Sequence, residues 1–485
     1  MQPKLELLDG DLLRRVLDEA HQLLLDPGIK VQSPEARELL AGAGAKVDET
    51  REVVRIPEEV IAGALEGVPR RFALHDRSSI PAVDYGGDAV HFDPGSSGVH
   101  VLDPETLEHR PSRTPDLVRI VKIAEMLPQL DAQSTAVVCD DIPKEIGDLW
   151  RLYVVLGYSS KPIVTGAFSV KTLQAMIDML AIFAGGRAAL AEKPQAVFDV
   201  CPSPPLIWSD FGAQNLIELA RAGVPAEMVS MPLAGAAAPV TLLGSVVQHA
   251  AECLSGIAIH QLARPGSPIV WGGAPAIFDM RKGTTPMGAI ETAMIDASYA
   301  QVGKSLGLPT HTYLGASDAK LVDAQAGMES GISAVVGALA GINMISGAGM
   351  LDFLACQSAE KLVVDAEAIA MAKRLLAGMQ VRTETLATEM FAGIDFKGEF
   401  LKQKVTKQLF AEEQYIPSKV IDRDSARGWK QAGGHDTWAR AKERARTLLE
   451  DYRPPEHDPA QVRELRHLVG RLARQAGMDQ LPEPT

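Results

Sequence analysis

The clearest fold signal lies between residues 225 and 364, where short apolar segments run into turns of small residues. Three of them read Met231-Pro-Leu-Ala-Gly-Ala-Ala-Ala-Pro-Val-Thr-Leu-Leu-Gly244, Pro265-Gly-Ser-Pro-Ile-Val-Trp-Gly-Gly273 and Leu308-Pro-Thr-His-Thr-Tyr-Leu-Gly-Ala-Ser-Asp-Ala-Lys320. Each is followed by a long apolar segment of helical length. Short strands that alternate with helices are typical of a parallel β/α architecture.

The same alternation predicts eight strand–helix units, the number found in a TIM (β/α)8 barrel. A doubly wound sheet is the alternative, but it usually has fewer strands and often a G-x-G-x-x-G motif after the first strand, which is absent here. We therefore predict the barrel, with its active site at the C-terminal ends of the strands. The predicted strands are residues 131–138, 162–165, 196–200, 226–229, 269–271, 310–313, 343–346 and 379–382.

The flanking segments predict additions to this α/β barrel. Residues 1–115 combine amphipathic helices with turn-rich segments such as Asp93-Pro-Gly-Ser-Ser-Gly98, which indicates an N-terminal α+β extension. The catalytic barrel is predicted at residues 116–390 and a C-terminal helical extension at 391–485. The proline-rich end, residues 480–485, is predicted to be disordered.

Composition excludes several classes of function. The chain has 485 residues, of which 46% are hydrophobic and 23% charged, as in a large globular protein. Its net charge of −14 is unfavourable for nucleic acid. The four cysteines form no C-x-x-C pair, which indicates reduced thiols. With no signal peptide or long apolar span, we expect a cytoplasmic protein that does not enter a membrane.

Few side chains at the predicted strand ends suggest acid–base, nucleophilic or metal chemistry. Asp140 and Asp141 are either a general acid and base or a helix N-cap, and capping is favoured. Cys201 is more simply a packed thiol than a nucleophile. His311 points either into the barrel mouth or into the helix layer. The sequence contains no H-E-x-x-H motif or Cys/His cluster, so no metal centre is predicted.

Aromatic residues make up only 5% of the chain, yet four lie near predicted strand ends. Each is most simply a core residue. Two or three rings around a carboxylate would instead form a cage for a quaternary ammonium ion, which ring faces attract. The rings are Phe168, Trp271, Tyr313 and Phe353, and the carboxylates are Asp318 and Asp352.

Several long motifs are specific enough to carry a family resemblance. They are the segment 231–244 quoted above, Ala251-Glu-Cys-Leu-Ser-Gly256, Gln261-Leu-Ala-Arg-Pro-Gly-Ser-Pro268, Asp323-Ala-Gln-Ala-Gly-Met-Glu329 and Glu360-Lys-Leu-Val-Val-Asp-Ala-Glu367. The chain resembles the trimethylamine methyltransferase family over almost its whole length. The resemblance implies a TIM barrel enzyme that passes a methyl group from an amine to the cobalt of a separate corrinoid protein.

One departure from the family changes the implied substrate. Archaeal trimethylamine enzymes carry pyrrolysine in the barrel mouth, whereas this chain has only the ordinary twenty residues. It therefore resembles the non-pyrrolysine branch, which acts on quaternary amines such as glycine betaine. We expect His311 or Lys320 to bind the carboxylate of a betaine. Small residues would let a flat corrin approach the mouth, and the candidates are Gly272, Gly273, Gly315 and Gly347.

The resemblance also implies which cofactors and partners to expect. We expect no tightly bound metal, flavin or corrinoid, because cobalamin belongs to the partner protein as the methyl acceptor. A small quaternary amine and a corrinoid protein are the expected partners, and self-association into a homo-oligomer is expected. Two alternatives remain open at this point: a non-catalytic betaine-binding member, and a different TIM barrel enzyme such as a lyase or a flavin oxidoreductase.

Overall fold

Eight parallel strands form one sheet that nearly closes on itself. The computed structural model describes residues 2–394, 396–398, 400–478 and 481. The barrel strands are β1 (His91–Pro94), β2 (Gln133–Ser134), β3 (Ile163–Gly166), β4 (Ala196–Val200), β5 (Ala226–Met228), β6 (Ile269–Gly273), β7 (Thr310–Thr312) and β8 (Met344–Ala348). They are hydrogen-bonded in the order β1-β8-β7-β6-β5-β4-β3-β2. Between β2 and β1, the Asp131 N–H donates to the Phe92 carbonyl at 2.7 Å.

A helix follows every strand, so the (β/α)8 prediction is confirmed. Both faces of each strand are covered, by the barrel interior and by the helices, which explains why the strands are almost continuously buried. The barrel helices are α1 (Thr114–Met126), α2 (Gly147–Tyr158), α3 (Val170–Ala184), α4 (Asp210–Ala222), α5 (Leu242–Ala263), α6 (Ile290–Ser305), α7 (Ala324–Leu339) and α8 (Ala359–Leu376).

One predicted strand is wrong. Residues 379–382 lie outside every strand, and the side chains of Met379 and Val381 are 98% and 76% exposed. The eighth strand is instead β1, within the segment predicted as the N-terminal extension. Its short length and the Asp93-Pro-Gly sequence indicate a turn, and only pairing with β8 makes it a strand. The three-part domain division stays a prediction.

The first 90 residues cover the outside and the base of the barrel. Helices Gly10–Leu25, Pro34–Gly42 and Glu58–Gly67 pack against α5, which is therefore buried along most of its length. By length and composition α5 is the one described helix that could cross a membrane, and 83% of its apolar window is buried inside the protein. A small sheet joins this region to the barrel; its strands are Ile29–Val31, Lys46–Asp48, Val53–Arg55 and Ile207–Trp208.

A β-hairpin plugs the N-terminal end of the barrel. Its strands, Phe72–His75 and Pro81–Tyr85, pair antiparallel, as the turn signals predict. Leu74, Val83 and Tyr85 of the hairpin form one apolar cluster with the first inward-pointing residues of the strands, which are Ala132, Val164, Val197, Val270 and Met344. The base of the barrel is therefore filled, and a ligand has to enter from the C-terminal end.

Short strands lie over that C-terminal end. Strand His100–Leu102 pairs with His109–Pro111 and with Cys356–Gln357, and the latter pairs with Met350–Leu351. Beside them, Leu233–Ala234 pairs with Ala276–Ile277, close to the ends of β5 and β6. These strands bring the segments that follow β1, β5, β6 and β8 together around the barrel mouth.

After residue 387 every secondary-structure element among the described residues is a helix. Thr437–Asp451 packs against α8 and α1, and Pro459–Gln475 packs against α3 and α2. Of the tail predicted to be disordered, residues 480 and 482–485 lie outside the described residues. The preceding elements are the short helices Thr388–Phe391, Phe400–Lys402, Lys404–Glu413 and Ala426–Gln431.

Candidate functional site

Polar side chains from five strands meet halfway along the barrel interior. They are Asp93 of β1, Asp199 of β4, Glu227 of β5, His311 of β7 and Ser346 of β8. In a strand, alternate residues point to the same side. Val197 points into the barrel, where it packs against the basal hairpin, so Asp199 also points into the barrel, two residues nearer the mouth. Four of the five are fully buried, and Asp199 alone is partly exposed.

Hydrogen bonds and close polar contacts connect this layer. The Tyr85 hydroxyl donates to Glu227 Oε2 at 2.9 Å, and the Ser346 hydroxyl donates to Asp93. His311 Nε2 lies 3.0 Å from Ser346 Oγ and 3.3 Å from Glu227 Oε1. The histidine thus joins two buried acids across the barrel. His311 points into the barrel interior, the first of the two orientations left open by the sequence.

Burial controls the protonation of these groups. It raises the pKa of Glu227 well above its usual value, and the nearby Asp199 charge raises it further. Burial also raises the pKa of Asp93, and that of Asp199 to about 6, while it lowers the pKa of His311 to about 3. Near neutral pH, His311 is therefore uncharged and Asp199 is ionised, whereas burial favours the protonated forms of Asp93 and Glu227.

Some atoms in this layer lack a conventional hydrogen-bond partner. Asp199 Oδ1, Glu227 Oε1 and His311 Nδ1 are buried without one. Protonated Glu227 can donate a hydrogen bond to the Asp199 carboxylate, and this bond raises the pKa of Glu227 and lowers that of Asp199. This leaves an acidic interior whose charge depends on one proton. Among the described residues, no group of three or more Cys, His, Asp or Glu side chains is arranged to hold a metal ion.

Tyr313 covers this layer on the mouth side. Its hydroxyl donates to Asp199 Oδ2 at 2.8 Å and lies 3.0 Å from Ser96 Oγ. Its ring meets His311 edge-on, with the ring centroids 5.0 Å apart. Of the four predicted cage rings, Tyr313 is thus the one that contacts the acidic interior directly.

Arg151 and Phe168 lie beside the same opening. Phe168 follows β3 and is 46% exposed, and the Arg151 guanidinium carbon lies 4.7 Å from its ring centroid. Arg151 is fully buried; it donates to Ser97 Oγ and to the Thr135 carbonyl, both at 3.0 Å. Its Nε atom has no partner. The arginine also acts electrostatically on Asp199, whose pKa it lowers.

A loop at the rim of the mouth, residues 352–354, is held by contacts with Lys320 and His109. Asp352 Oδ1 lies 3.1 Å from Lys320 Nζ, and Asp352 Oδ2 lies 3.7 Å from His109 Nδ1. Lys320 Nζ also lies 3.8 Å from the Phe353 ring centroid. Asp352, Phe353 and Leu354 all have left-handed backbone angles, with φ of 51°, 57° and 67°. Such a run of non-glycine residues is strained, and strain of this kind often marks a segment that moves.

This loop reaches the residues above the acidic layer. Leu354 packs against an apolar cluster that contains Tyr313 and Met287. The main-chain N–H of Met287 donates to Asp318 Oδ1 at 2.8 Å, and burial raises the pKa of Asp318 to about 6. Lys320 Nζ donates to the Asp318 carbonyl at 2.7 Å. The predicted residues Asp318, Lys320, Asp352 and Phe353 therefore form one rim group.

Trp271 lies elsewhere. Its side chain is fully buried, its Nε1 donates to the Tyr299 carbonyl of α6, and its ring abuts Gly303 of the same helix. The indole fills the layer between β6 and α6, where no ligand in the barrel mouth reaches it. This is the core role that the sequence favours for each ring taken singly.

The four predicted glycines differ in their surroundings. A Cβ on Gly272 would meet the Met228 carbonyl at 2.6 Å, and one on Gly273 would meet His249 at the same distance. A Cβ on Gly347 would meet the Leu314 carbonyl at 2.2 Å. These three positions are small because strands and side chains pack against them. Gly315, with φ +83°, has nothing within 4 Å of the place a Cβ would take and is the open position of the four.

Asp93, Asp199, Glu227, Ser346 and Arg151 were not predicted from the sequence. A usable signal was present for two of them, because Asp199 and Glu227 are acidic residues inside predicted buried strands. A charged residue in such a strand requires a partner or a function. Asp140 and Asp141, by contrast, do not enter this layer: Asp141 Oδ1 accepts the Thr114 N–H at 3.0 Å and so binds the start of α1.

Comparison with known proteins decides the family. The model of the family "Trimethylamine methyltransferase (MTTB)" matches residues 1–478. The chain belongs to the trimethylamine methyltransferase family. The trimethylamine methyltransferase MttB of Desulfitobacterium hafniense (strain DSM 10664 / DCB-2) is 32% identical over 441 residues, which cover 90% of this chain and 88% of that protein. The family resemblance stated from the sequence motifs is thereby confirmed.

One further relative and one solved structure are similar to this chain over almost its whole length. The glycine betaine methyltransferase of D. hafniense (strain Y51) is 28% identical over 485 residues, which cover 98% of each chain. The crystal structure of the Methanosarcina barkeri monomethylamine methyltransferase MtmB superposes with a TM-score of 0.53 and 12% identity, covering 93% of this chain and 90% of that one. That likeness shows that this chain shares the fold of that solved structure.

Proposed function

We propose that this protein is a methyltransferase that moves a methyl group from a small quaternary amine, glycine betaine or a similar compound, to the Co(I) of a separate corrinoid protein. Membership of the trimethylamine methyltransferase family supports the reaction class. The relative named glycine betaine methyltransferase, which matches the whole chain, supports the substrate class. The chain's own interior supplies a physical reason for a cationic substrate.

The observation that carries the proposal is Asp199 beneath Tyr313. Among the three interior acids, Asp199 is the one that is both partly exposed and ionised near neutral pH. A quaternary ammonium ion cannot donate a hydrogen bond, so an enzyme holds it through negative potential and ring faces. Tyr313 and Phe168 offer rings on two sides of the opening, and the Asp199 carboxylate offers the charge.

A betaine also brings a carboxylate, which needs a cationic donor. His311 is a poor candidate because burial keeps it uncharged, whereas Lys320 at the rim is charged but already contacts Asp352. Arg151 adds a third candidate: its guanidinium is charged, lies beside Phe168, and has an unpartnered Nε atom. We propose that Arg151 and Asp199 orient the two ends of a zwitterion at the mouth.

The transfer itself requires no proton at nitrogen. As the N–CH3 bond breaks, its electron pair stays on nitrogen, which leaves as a neutral tertiary amine, and Co(I) supplies the pair for the new Co–CH3 bond. The protein's contribution is then to hold the methyl group in line with the acceptor and to exclude water. The open position at Gly315 is where a flat corrin meets least obstruction.

The remaining parts of the proposal follow from this chemistry. The acceptor corrin belongs to the partner protein, so no tightly bound cofactor is proposed for this chain. A Co(I) acceptor and four free cysteines both fit a reducing, cytoplasmic location. Self-association into a homo-oligomer is also proposed.

The direct test combines the purified protein, free reduced cobalamin and a panel of quaternary amines. Absorbance should change from the Co(I) to the methyl-Co(III) spectrum with one or more of these amines, and Asp199→Asn should slow the change. Tight amine binding with no methylation of free cobalamin or of a corrinoid protein would instead identify a binding protein. A yellow, flavin-containing protein would point to an oxidoreductase.

A further inference from the structure

A long segment after α8 has no core of its own. Between Ala372 and Val420, none of the described residues is buried. The segment nevertheless forms the helices Thr388–Phe391, Phe400–Lys402 and Lys404–Glu413. Ordering a chain costs roughly 1 to 2 kcal/mol per residue, which burial of apolar surface normally offsets. Within a single chain, this segment buries too little apolar surface to offset that cost.

The same segment, residues 379–416 and called the arm below, carries many large apolar side chains. Each of those named below is at least half exposed, with Met379 at 98% and Phe396 at 93%. Large exposed apolar side chains concentrated in one segment are typical of a surface that binds a partner. The side chains are Met379, Leu386, Phe391, Phe396, Leu401 and Phe410.

The arm lies at the end of the barrel away from the mouth. It follows the C-terminal end of α8, where Lys373 Nζ contacts the Gln129 carbonyl at 2.9 Å and Asp131 Oδ2 at 2.7 Å, just before β2 begins. It returns to the same place, because Arg374 Nη2 donates to the Glu413 carbonyl at 3.0 Å. A methyl acceptor must reach the opposite, C-terminal end of the strands, so the arm is badly placed to receive it.

Charge favours self-association at the arm. The arm has five Lys or Arg and six Asp or Glu residues, hence a net charge of −1, in a chain whose net charge is −14. Two copies repel each other over most of their surface but hardly at all here. The six apolar side chains together expose on the order of 800 Å², the area that each partner contributes to an interface of standard size.

We propose that the arm is the surface through which two copies of this chain associate, arm against arm. A two-fold interface brings the same patch of each copy together, so one near-neutral apolar surface suffices. The partner copy then supplies the burial that the arm lacks within its own chain. This inference is independent of the methyl-transfer reaction.

The test compares molar mass in solution by sedimentation equilibrium for the full chain and two double variants. The variant Met379→Asp/Leu401→Asp changes side chains that are 98% and 82% exposed in the protomer, so it should fold. We expect the unaltered chain to be at least a dimer and the arm variant to dissociate on the order of 100-fold more readily. The control Val240→Asp/Met280→Asp changes side chains at the mouth that are 73% and 76% exposed, and should leave the mass unchanged.

Other results would overturn the proposal. A monomeric unaltered chain would do so, as would an arm variant that keeps the unaltered mass or a control variant that dissociates instead. An arm variant that stays oligomeric but no longer methylates a corrinoid protein would assign the arm to that partner. Equal circular dichroism spectra for the variants will establish that any change in mass comes from the surface and not from unfolding.

Discussion

At the scale of single residues, Asp199 sets the charge of the barrel interior. Burial raises its pKa to about 6, and it raises the pKa values of Asp93 and Glu227 well above their usual range, which favours their protonated forms. A bound quaternary ammonium ion favours the Asp199 carboxylate and has no proton of its own to lose. Affinity for the cation should therefore respond to one titration.

We predict that this affinity rises with pH up to about 6 and is then constant. Below that pH the carboxylate must give up a proton before the cation binds, so the dissociation constant should increase by up to about tenfold per pH unit. Calorimetric titration with glycine betaine between acid and neutral pH measures this directly. Asp199→Asn is the control and should bind weakly with little pH dependence; an unaltered protein with a flat profile would contradict the role of Asp199.

The aromatic residues lead to a second prediction, because Tyr313 and Phe168 lie at the opening whereas Trp271 lies in the core. Tyr313→Ala and Phe168→Ala should each weaken binding of a quaternary amine by roughly 0.5 to 2 kcal/mol, plus any loss of packing. Trp271→Ala should instead reduce the free energy of unfolding by about 3 to 5 kcal/mol while the folded fraction binds normally, since the indole lies against α6. Isothermal titration and urea denaturation of the three variants separate these effects, and a loss of affinity in Trp271→Ala alone would reverse the assignment.

At the scale of elements, the rim loop and the basal hairpin limit access to the interior. Lys320 holds the strained residues 352–354 through Asp352 and Phe353. The ion pair is more than one-quarter exposed on both sides and adds less than about 1 kcal/mol to stability. We predict that Lys320→Ala leaves stability within that limit but speeds ligand association, measured by stopped-flow fluorescence. An association rate equal to that of the unaltered protein would mean that the loop does not restrict entry.

The hairpin at the base leads to a prediction about stability rather than about ligand entry. Tyr85→Phe removes the donor to Glu227 Oε2, deep in the barrel and away from the mouth. A buried carboxyl oxygen without its partner costs about 1 to 3 kcal/mol, so the free energy of unfolding should fall by that amount. Urea denaturation is the measurement. A stability unchanged by Tyr85→Phe would show that Glu227 Oε2 finds another donor.

These elements also explain how much of the fold could be predicted from the sequence. Seven barrel strands could be predicted, because each lies in a short segment between a turn and a segment of helical length. Strand β1 could not, since its four residues contain Asp93 and end in Pro94, and its pairing partner β8 lies about 250 residues away. The acidic layer was missed for a related reason: its members come from five strands and meet only when the barrel closes.

At the scale of the whole molecule, the barrel has one filled end and one open end. The hairpin fills the base, the rim loop and short strands surround the mouth, and the arm extends from the basal side. This arrangement separates the surface proposed for the methyl donor and acceptor from the surface proposed for a second copy. Asp199 lies between the filled base and the open mouth, where a cation can reach it from one side only.

Methyl transfer from a quaternary amine is tested most directly by following the methyl group itself. Glycine betaine with carbon-13 in its N-methyl groups is incubated with the protein and a reduced corrinoid protein, and the products are resolved by NMR. We predict one methyl-cobalt signal for each molecule of dimethylglycine formed, and much slower formation of both with Asp199→Asn. Glycine betaine that binds but keeps all three labelled methyl groups, with every corrinoid partner and amine tried, would contradict the proposed reaction.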